Sequence, residues 1–359
     1  MPASAKTWLL TSEKLGDTAQ ARLIADALGW PTAEIEMVVR ERFRTIKPAM
    51  RPSLDHIEPA SAAQLRPPWP ELAIAAGRRM AMVLLWLKAQ SGGRTRIVYL
   101  GRPQRHLERF DLVVAPSQFR VPSAPNVMPL AYPLVRIEDA ALARAKQDWA
   151  ARLAGLPKPL FVLLVGGPQR VLRFDSALAR DLLARTAHMA RAQSGSLYVS
   201  TSRRTPPDIV EALAEAMPAE AQFHRWSPEA QENPYLGLLA HGDVFVVTGD
   251  SISMLVEVAG LGRPLAIYRQ PPPSNLWRRG LQLVGRAVDE ETGHPALRGA
   301  GRLLYRLGLV SYPRNLSALH ARLIAEGYAA PFGETLPTGG RRLASELPEV
   351  AARVRALFP

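Results

Sequence analysis

The chain has 359 residues, 47% of them hydrophobic, and a formal net charge of +13 at pH 7. That length suits two domains of ordinary size, and the hydrophobic share gives each a core, which excludes a disordered or fibrous protein. The absence of cysteine excludes disulfides, thiolate metal sites and cysteine nucleophiles. No apolar run reaches the length of a membrane span, so we expect a cytoplasmic protein.

The positive charge comes from arginine, since only six of the 45 basic residues are lysines. Such an excess predicts affinity for phosphate-bearing substrates or an anionic membrane surface, although a codon bias toward arginine explains it equally well. Nucleic acid is not an expected partner, because the sequence has no recognition helix, zinc finger or aromatic ribonucleoprotein motif.

The first half of the chain alternates short apolar runs with helical periods, the pattern of a parallel α/β sheet. Strands are predicted at residues 8–10, 35–39, 72–75, 97–100 and 112–115. Helices are predicted at residues 18–28 and 79–90, and residues 129–136 are predicted to cross into a second domain.

The second half restarts the pattern, with strands predicted at residues 160–165, 197–200, 244–247 and 265–268 and helices at 177–192 and 235–240. Thr205 is predicted to cap another helix, since two prolines and Asp208 follow it. The predicted fold class is therefore α/β, with two tandem Rossmann-like, doubly wound domains facing a cleft, residues 1–135 and 136–340. A last helix within residues 341–359 either packs back on the first domain or finishes the second.

Polar clusters follow several of these strands, at the edge where open α/β sheets bind ligands. In the first domain Gly16 predicts a tight turn, and Glu13 or Asp17 is a candidate general base, although such a loop is often only structural. Gly77 and the two arginines after it open the next helix and form a candidate anion contact.

The second domain has two such clusters before its most informative one. Gly166 and Gly167 end a buried strand, where glycine either admits a ligand close to the backbone or makes a tight turn. Ser202 precedes Arg203 and Arg204 at the end of the next strand. Planar guanidinium groups suit a diphosphate, and a solvated pair of charges is the alternative.

The most informative stretch joins an apolar strand to a helix. The strand runs into Thr248, Asp250 and Ser251, and the helix that follows holds Ser253 and Glu257. Free backbone N–H groups and the macrodipole at a helix N-terminus favour an anion such as a diphosphate. Glu257 lies about one turn further on, where it can accept hydrogen bonds from a ribose. This stretch therefore predicts a nucleotide site.

Several other kinds of site are excluded by missing motifs. The seven histidines lack metal-ligand spacing and no two aspartates are separated by one residue, so we expect no metal site. A dinucleotide fingerprint, a P-loop and a nucleophile elbow are also absent. Two basic stretches, residues 40–51 and residues 277–286 with 303–306, mix arginine with aromatic and aliphatic residues. They suit the interface of an anionic bilayer, or equally a helix that packs one face inward.

With these clusters in place, the sequence resembles the bacterial branch of the mitochondrial-fission "elongated mitochondria" family. The matching pieces are Ala76-Gly-Arg-Arg79, Arg109-Phe-Asp-Leu-Val-Val-Ala-Pro116, Leu163-Leu-Val-Gly-Gly-Pro168, Ser200-Thr-Ser-Arg-Arg-Thr205, Asn233-Pro-Tyr235 and Val247-Thr-Gly-Asp-Ser-Ile-Ser-Met-Leu-Val-Glu257. The opening loop departs from the family, since Ser12-Glu13 and a single Gly16 stand where the family has an Asp-Gly pair and a second glycine.

The family is in turn similar to GT-B glycosyltransferases. The resemblance implies a UDP- or GDP-type nucleotide-sugar donor on the second domain, an acceptor on the first, and no obligatory metal or other cofactor. It implies that Glu257 holds the ribose, and that the diphosphate is held by Ser251, Ser253, Gly167 and Arg203 or Arg204. The remaining predicted nucleotide-binding residues are Gly16, Gly166, Ser202, Asn233, Thr248, Asp250 and Met254.

Three functions are consistent with the resemblance. The first is a glycosyltransferase at the cytoplasmic face of a membrane, moving a sugar to a lipid or cell-envelope glycan such as lipopolysaccharide. The second is a non-catalytic, membrane-associated adaptor, because plant relatives are associated with recruiting a dynamin-related protein to mitochondria. The third is a sugar-nucleotide epimerase, which needs no acceptor.

Overall fold

The computed structural model describes residues 6–46, 51–169, 172–230, 232–272, 303 and 315–358. Contacts between Cα atoms divide the chain into two compact units. The first unit takes in the chain up to Leu134 and again from Ser345 onward. The second unit begins at Val135 and includes Leu316–Ala344.

The first unit is built on a parallel sheet of six strands. The strands are β1 (Thr7–Thr11), β2 (Thr32–Glu36), β3 (Leu72–Ala76), β4 (Arg96–Leu100), β5 (Leu112–Pro116) and β6 (Val127–Leu130). Their order across the sheet is β2-β1-β3-β4-β5-β6. The helices are α1 (Leu15–Leu28), α2 (Arg42–Thr45), α3 (Pro59–Ala62), α4 (Arg78–Gln90) and, from the end of the chain, α11 (Leu347–Arg355).

Helices cover both faces of this sheet, because alternate side chains of each strand point to opposite sides. In β1, Trp8 belongs to the core cluster that contains α4, whereas Leu9 belongs to the cluster that contains α1. Four buried residues of α11, Leu347, Val350, Ala351 and Val354, also lie in the cluster with α1. The C-terminal helix therefore completes one face of the first unit.

The second unit has a second parallel sheet of six strands. They are β7 (Leu160–Val165), β8 (Ser196–Thr201), β9 (Gln222–His224), β10 (Val244–Thr248), β11 (Leu265–Tyr268) and β12 (Ala330–Pro331), in the order β12-β11-β10-β7-β8-β9. The helices are α5 (Asp139–Leu153), α6 (Ser176–Ala192), α7 (Pro207–Glu215), α8 (Tyr235–His241), α9 (Ile252–Leu261) and α10 (Leu316–Ala325).

Strand order reverses once in each sheet. In the first unit β1 lies between β2 and β3, and in the second β7 lies between β8 and β10. At such a switch point the two connections leave the sheet on opposite sides, which opens a crevice beyond the carboxyl ends of the strands. The loops after β1 and β3, and those after β7 and β10, therefore surround the expected ligand positions.

Most predicted elements are present, and the exceptions have physical reasons. The strand predicted at 35–39 lies earlier, at Thr32–Glu36, and Val39 instead bridges Ile57. The predicted crossing at 129–136 begins inside β6, whose Pro129 is tolerated because β6 is an edge strand. The prediction also missed α2, α3, α5, β9, α10 and β12, of which α2 and α3 have only four residues each and β9 and β12 only three and two.

Candidate functional site

The loops after β7 and β10 are bound to each other by side chains of the second loop. The backbone N–H of Gly166 donates to Thr248 Oγ1 over 2.8 Å, and the N–H of Gly167 donates to Asp250 Oδ2 over 2.9 Å. Thr248 is fully buried. These two N–H groups are therefore already bound within the protein, and nucleotide binding by Gly166 and Gly167 stays a prediction.

The two glycines are required by close packing against protein rather than against a ligand. A Cβ atom on Gly166 would lie 2.1 Å from Ser251 Oγ and 2.2 Å from Asp250 Oδ2. A Cβ atom on Gly167 would lie 1.9 Å from the carbonyl oxygen of Arg204. No side chain fits at either distance, so glycine here lets the three strand-end loops converge.

Asp250 is the centre of this convergence. Its carboxylate is completely buried and lies 2.7 Å from Arg204 Nη2. Oδ1 accepts a hydrogen bond from Gln270 Nε2 at 3.1 Å. Partners of this kind compensate the carboxylate for the water that it loses on burial. Asp250, which is predicted to bind the nucleotide, accepts hydrogen bonds from Gly167 and Arg204 in the structure and so links their two loops.

Arg204 is held by Asp250 while part of its side chain remains accessible. Nη2 donates to Ser251 Oγ over 2.9 Å, and 43% of the side chain is exposed. Ser202 shapes the turn before it, accepting the Arg204 N–H at 3.3 Å. Arg203 is exposed beside it. The Arg204 guanidinium therefore has a fixed position, and its remaining N–H groups are able to donate to a ligand.

Thr205 does not cap the helix that follows it, contrary to the sequence prediction. The N-cap of α7 is Pro206. The Thr205 hydroxyl instead donates toward the carbonyl oxygens of Val165 and Gly166, at 3.0 and 2.7 Å, and accepts the Ser202 N–H. It therefore ties the loop after β8 to the end of β7, a tertiary role that helix-start rules do not reveal.

The N-terminal turn of α9 carries the remaining predicted residues. Ser251 is its N-cap but makes no capping hydrogen bond with its side chain. Ser253 is exposed, and Met254 and Glu257 are half-buried. Residues three and four apart share one face of a helix, so Ser253 and Glu257 line the same side of α9. The first N–H groups of any helix lack intrahelical acceptors and attract an anion to this turn.

Glu257 is paired with Tyr235 of α8, whose phenol hydroxyl donates to its carboxylate. Burial raises the pKa of Glu257 to about 7, and the hydrogen bond from Tyr235 opposes that rise. Asn233, predicted to bind the nucleotide, is exposed, and its Oδ1 accepts the backbone N–H of Tyr235 at 3.0 Å. It therefore orders the start of α8, which positions the partner of Glu257.

His320 of α10 supports the same loop, and sequence reasoning missed it. Its Nε2–H donates to the carbonyl oxygen of Gly249 over 2.7 Å. Burial lowers the pKa of His320 to about 4, so the imidazole is neutral at pH 7. A Cβ on Gly249 would lie 2.7 Å from His320 Cε1. A lone histidine outside any motif gives no sequence signal for such a contact.

The residues predicted in the first unit lie after β1. Glu13 is exposed, and Asp17 is half-buried with Oδ2 placed 2.9 Å from where a Cβ of Gly77 would be. Gly16 lies within the first turn of α1 and has open space around it, so the tight turn predicted for it is wrong. The structure brings Glu13, Gly16 and Asp17 to the switch point of the first sheet, and the predicted residues that follow β7 and β10 to that of the second.

Other sequence predictions fall partly beyond the described chain. Residues 47–50, 277–286 and 304–306 of the two basic stretches lie outside the described residues. Within the described ranges, no helix has the length and apolar character needed to cross a bilayer. In that same part of the chain, no three side chains of histidine, aspartate or glutamate are grouped so as to hold a metal ion.

The chain has a GT-B-like fold, seen in its similarity to solved structures. The UDP-GlcNAc 2-epimerase of Methanocaldococcus jannaschii is 9% identical, with 98% of this chain and 99% of that one covered and a TM-score of 0.50. A glycosyltransferase from Rickettsia africae is also 9% identical, with 89% and 97% covered and a TM-score of 0.44. At such identity the likeness concerns the fold alone.

Sequence similarity identifies the family. Mitochondrial fission protein ELM1 of Arabidopsis thaliana is 28% identical over 220 residues, which are 55% of this chain and 51% of the plant protein. The match thus spans about half the length of this curated relative. The profile of the family described as "Mitochondrial fission ELM1" matches residues 16–286. This chain belongs to the mitochondrial fission ELM1 family.

Proposed function

We propose that the protein is a GT-B-type glycosyltransferase that takes a sugar from a UDP- or GDP-type donor without needing a metal ion. The acceptor is a lipid or a cell-envelope glycan at the cytoplasmic face of a membrane. The observation that carries the proposal is the common face of Ser253 and Glu257 on α9, beside a guanidinium held at the helix N-terminus.

The proposed binding of the nucleotide-sugar donor follows from the charges at the switch point of the second sheet. Arg204 keeps part of its guanidinium exposed beside the first turn of α9. An anion there meets both the arginine and unpaired helix N–H groups. Glu257, one turn further along the same face, is at the right spacing to accept a hydrogen bond from a ribose hydroxyl. A nucleoside diphosphate has both groups: its phosphates suit Arg204 and its ribose suits Glu257.

Transfer needs two chemical contributions. As the bond from the sugar C1 to the donor phosphate breaks, charge develops on the departing diphosphate, and Arg204 with the α9 N–H groups stabilises it. The acceptor hydroxyl forms the new bond to C1 and loses its proton to a base. Glu13 and Asp17 are the candidates for that base.

The membrane part of the proposal rests on charge and exposure. The chain carries a net charge of +13, and Ile46 is 61% exposed just after α2, which contains Arg42 and Arg44. Basic residues beside an exposed aliphatic side chain favour the interface of an anionic bilayer.

Calorimetric titration with UDP and GDP tests the proposal. We expect one of them to bind, and Glu257→Ala to weaken that binding by about tenfold, the loss that corresponds to about 1.4 kcal/mol. Glu211→Ala is the matched control, since Glu211 is an exposed glutamate of the same unit that pairs with Arg225. Absence of binding to any nucleoside diphosphate, or equal binding by Glu257→Ala, contradicts the proposal.

Epimerisation of a sugar nucleotide is the second candidate, favoured by the fold's likeness to a UDP-GlcNAc 2-epimerase. An epimerase converts the free sugar nucleotide when no acceptor is present, whereas the proposed transferase needs the acceptor. Product analysis by chromatography, with and without a membrane extract, separates the two. Nucleotide binding with neither product points instead to a non-catalytic adaptor.

A further inference from the structure

We propose that a pocket at the switch point of the first sheet is a separate anion site that binds a phosphate or diphosphate group. We call it the first-unit pocket. The residues used in the argument are Ser12, Glu13 and Lys14 after β1, and Gly77, Arg78 and Arg79 after β3. It belongs to a different unit from the α9 site.

The position of the pocket is the first reason for the proposal. It lies where the loops after β1 and β3 leave neighbouring strands in opposite directions, the place where open α/β sheets bind ligands. Its open space is about 210 Å³. That space includes open solvent, so the pocket is a shallow surface site that suits a small anionic group rather than a whole nucleotide.

The charge of the lining is the second reason. Lys14, Arg78 and Arg79 line the pocket together with the carboxylate of Glu13, and the carboxylate of Asp17 lies beside Gly77, so three positive charges face two negative ones. Glu13 Oε1 lies 3.9 Å from Arg79 Nη1, the edge of ion-pair distance. A phosphomonoester carries about −1.5 to −2 charges at pH 7, and the positive excess attracts it. A divalent cation would be repelled.

The fold holds the Arg79 side chain in a fixed position. Arg79 Nη2 donates to the carbonyl oxygens of Phe43 and Arg44, the latter at 2.7 Å. The Arg79 carbonyl accepts a hydrogen bond from His56 Nε2 at 3.0 Å. Burial, and then the charge of Arg79, lowers the pKa of Arg78. Like charges near one another are mutually unfavourable, and an anion bound beside them reduces that repulsion.

The start of α4 adds backbone donors to these side chains. Gly77 is the N-cap of this helix of 13 residues, with φ of +86°, and no side chain caps it. Because Gly77, Arg78 and Arg79 all line the pocket, the first turn of α4 faces it with N–H groups that a helix cannot satisfy internally. A Cβ at Gly77 would press on Asp17 Oδ2 at 2.9 Å.

Assignment of this group to the acceptor rests on the proposed function, whereas anion binding itself does not. A phosphorylated acceptor bound here would lie beside Glu13, one of the two candidate bases. The substrate class that follows is an acceptor carrying a phosphate or diphosphate, such as a lipid-linked one.

The test is calorimetric titration of the full chain with inorganic phosphate and pyrophosphate at low salt. Arg78→Gln is expected to weaken binding at least tenfold, and Lys14→Gln several-fold. Arg94→Gln is the matched control, because Arg94 follows the other end of α4 and bonds the Ser91 carbonyl. Thermal unfolding checks each variant. If Arg78→Gln does not fold, the exposed Lys14→Gln still decides the question, together with the charge reversal Lys14→Glu.

Vesicle flotation separates the two sources of the group. Binding to phosphatidylcholine vesicles that contain phosphatidic acid, lost in Arg78→Gln, supports a lipid-borne phosphate. Binding of pyrophosphate alone, with the same dependence on Arg78, supports a soluble phosphate ester. No binding by the wild type, or binding that Arg78→Gln and Lys14→Gln leave unchanged, overturns the proposal. Failure of the proposed function appears separately, as absence of nucleotide binding with Arg78-dependent phosphate binding intact.

Discussion

The phenol hydroxyl of Tyr235 donates a hydrogen bond to the carboxylate of Glu257, joining α8 to α9. The Glu257 carboxylate is predicted to accept a hydrogen bond from a ribose hydroxyl. Its hydrogen bond with Tyr235 therefore also fixes its orientation. Burial, the charge of Glu257 and the hydrogen bond itself all raise the pKa of Tyr235 well above its ordinary value. Tyr235 therefore remains a donor at any pH at which the protein is studied, and the state of the pair depends on Glu257.

Glu257 makes stability decrease as the pH rises. Its pKa is about 7 in the folded protein against an ordinary value of 4.5, so between these values the folded state holds a proton that the unfolded state has lost. Stability from this group is therefore full below pH 4.5 and is lost as the pH rises through 7. Urea unfolding from pH 4.5 to 8 should show a weaker downward trend in Glu257→Gln than in the wild type. An identical trend would contradict the assignment.

His320 has the opposite effect, since it makes stability decrease as the pH falls, over nearly the same pH range. Its pKa is about 4 against an ordinary 6.5, because burial and the charge of Arg269 outweigh the hydrogen bond to Gly249 and the charge of Asp250. The unfolded chain binds the extra proton, so stability is lost as the pH falls from 6.5 toward 4, by up to about 1.4 kcal/mol per pH unit. His320→Gln, which keeps a donor for Gly249, should flatten this acid-side loss in urea titrations; an unaltered acid-side slope in that variant would argue against a buried neutral His320.

Substitution of the glycines after β7 should destabilise the second unit. Gly166→Ala places a methyl group in contact with Ser251 and Asp250, and Gly167→Ala places one against backbone. Overpacking of this kind costs about 1–3 kcal/mol, and we expect Gly167→Ala to cost more because backbone cannot swing aside. Gly260→Ala is the control, since Gly260 lies in α9 with nothing within 4 Å of its Cβ position. It should raise stability by up to about 1 kcal/mol. If thermal unfolding shows that Gly167→Ala is as stable as Gly260→Ala, the packing argument is wrong.

Asp250→Asn should reveal the scaffold role of Asp250 as a loss of stability. The amide brings a donor to a site where Gly167, Arg204 and Gln270 all donate, and leaving such groups unsatisfied costs about 1–3 kcal/mol. Arg204 loses its anchor, so nucleoside diphosphate binding should weaken as well. Ser253→Ala is the comparison, because Ser253 is exposed and should affect binding without changing the unfolding midpoint. Full stability in Asp250→Asn would mean that the network is not formed.

Much of the fold could be predicted from the sequence because buried parallel strands leave a local signal. Residues 160–165 are six apolar residues in a row, and the structure has a strand over the same six, fully buried. The start of α9 was also visible, since small residues between an apolar strand and an apolar helix mark that junction. These features depend on neighbours in the chain, which is the information that a sequence carries directly.

Only the tertiary structure decided what the polar residues of the junction do. The predicted ligand-binding residues include Thr248, Asp250, Gly166 and Gly167, and in the structure their groups bond to one another across strands that are distant in sequence. The sequence by itself determined the two parallel sheets and the residue types gathered at their edges. Which of those residues are engaged by the protein and which stay open to a ligand depends on long-range contacts such as Asp250 with Arg204 and Gly249 with His320, and local patterns do not record them.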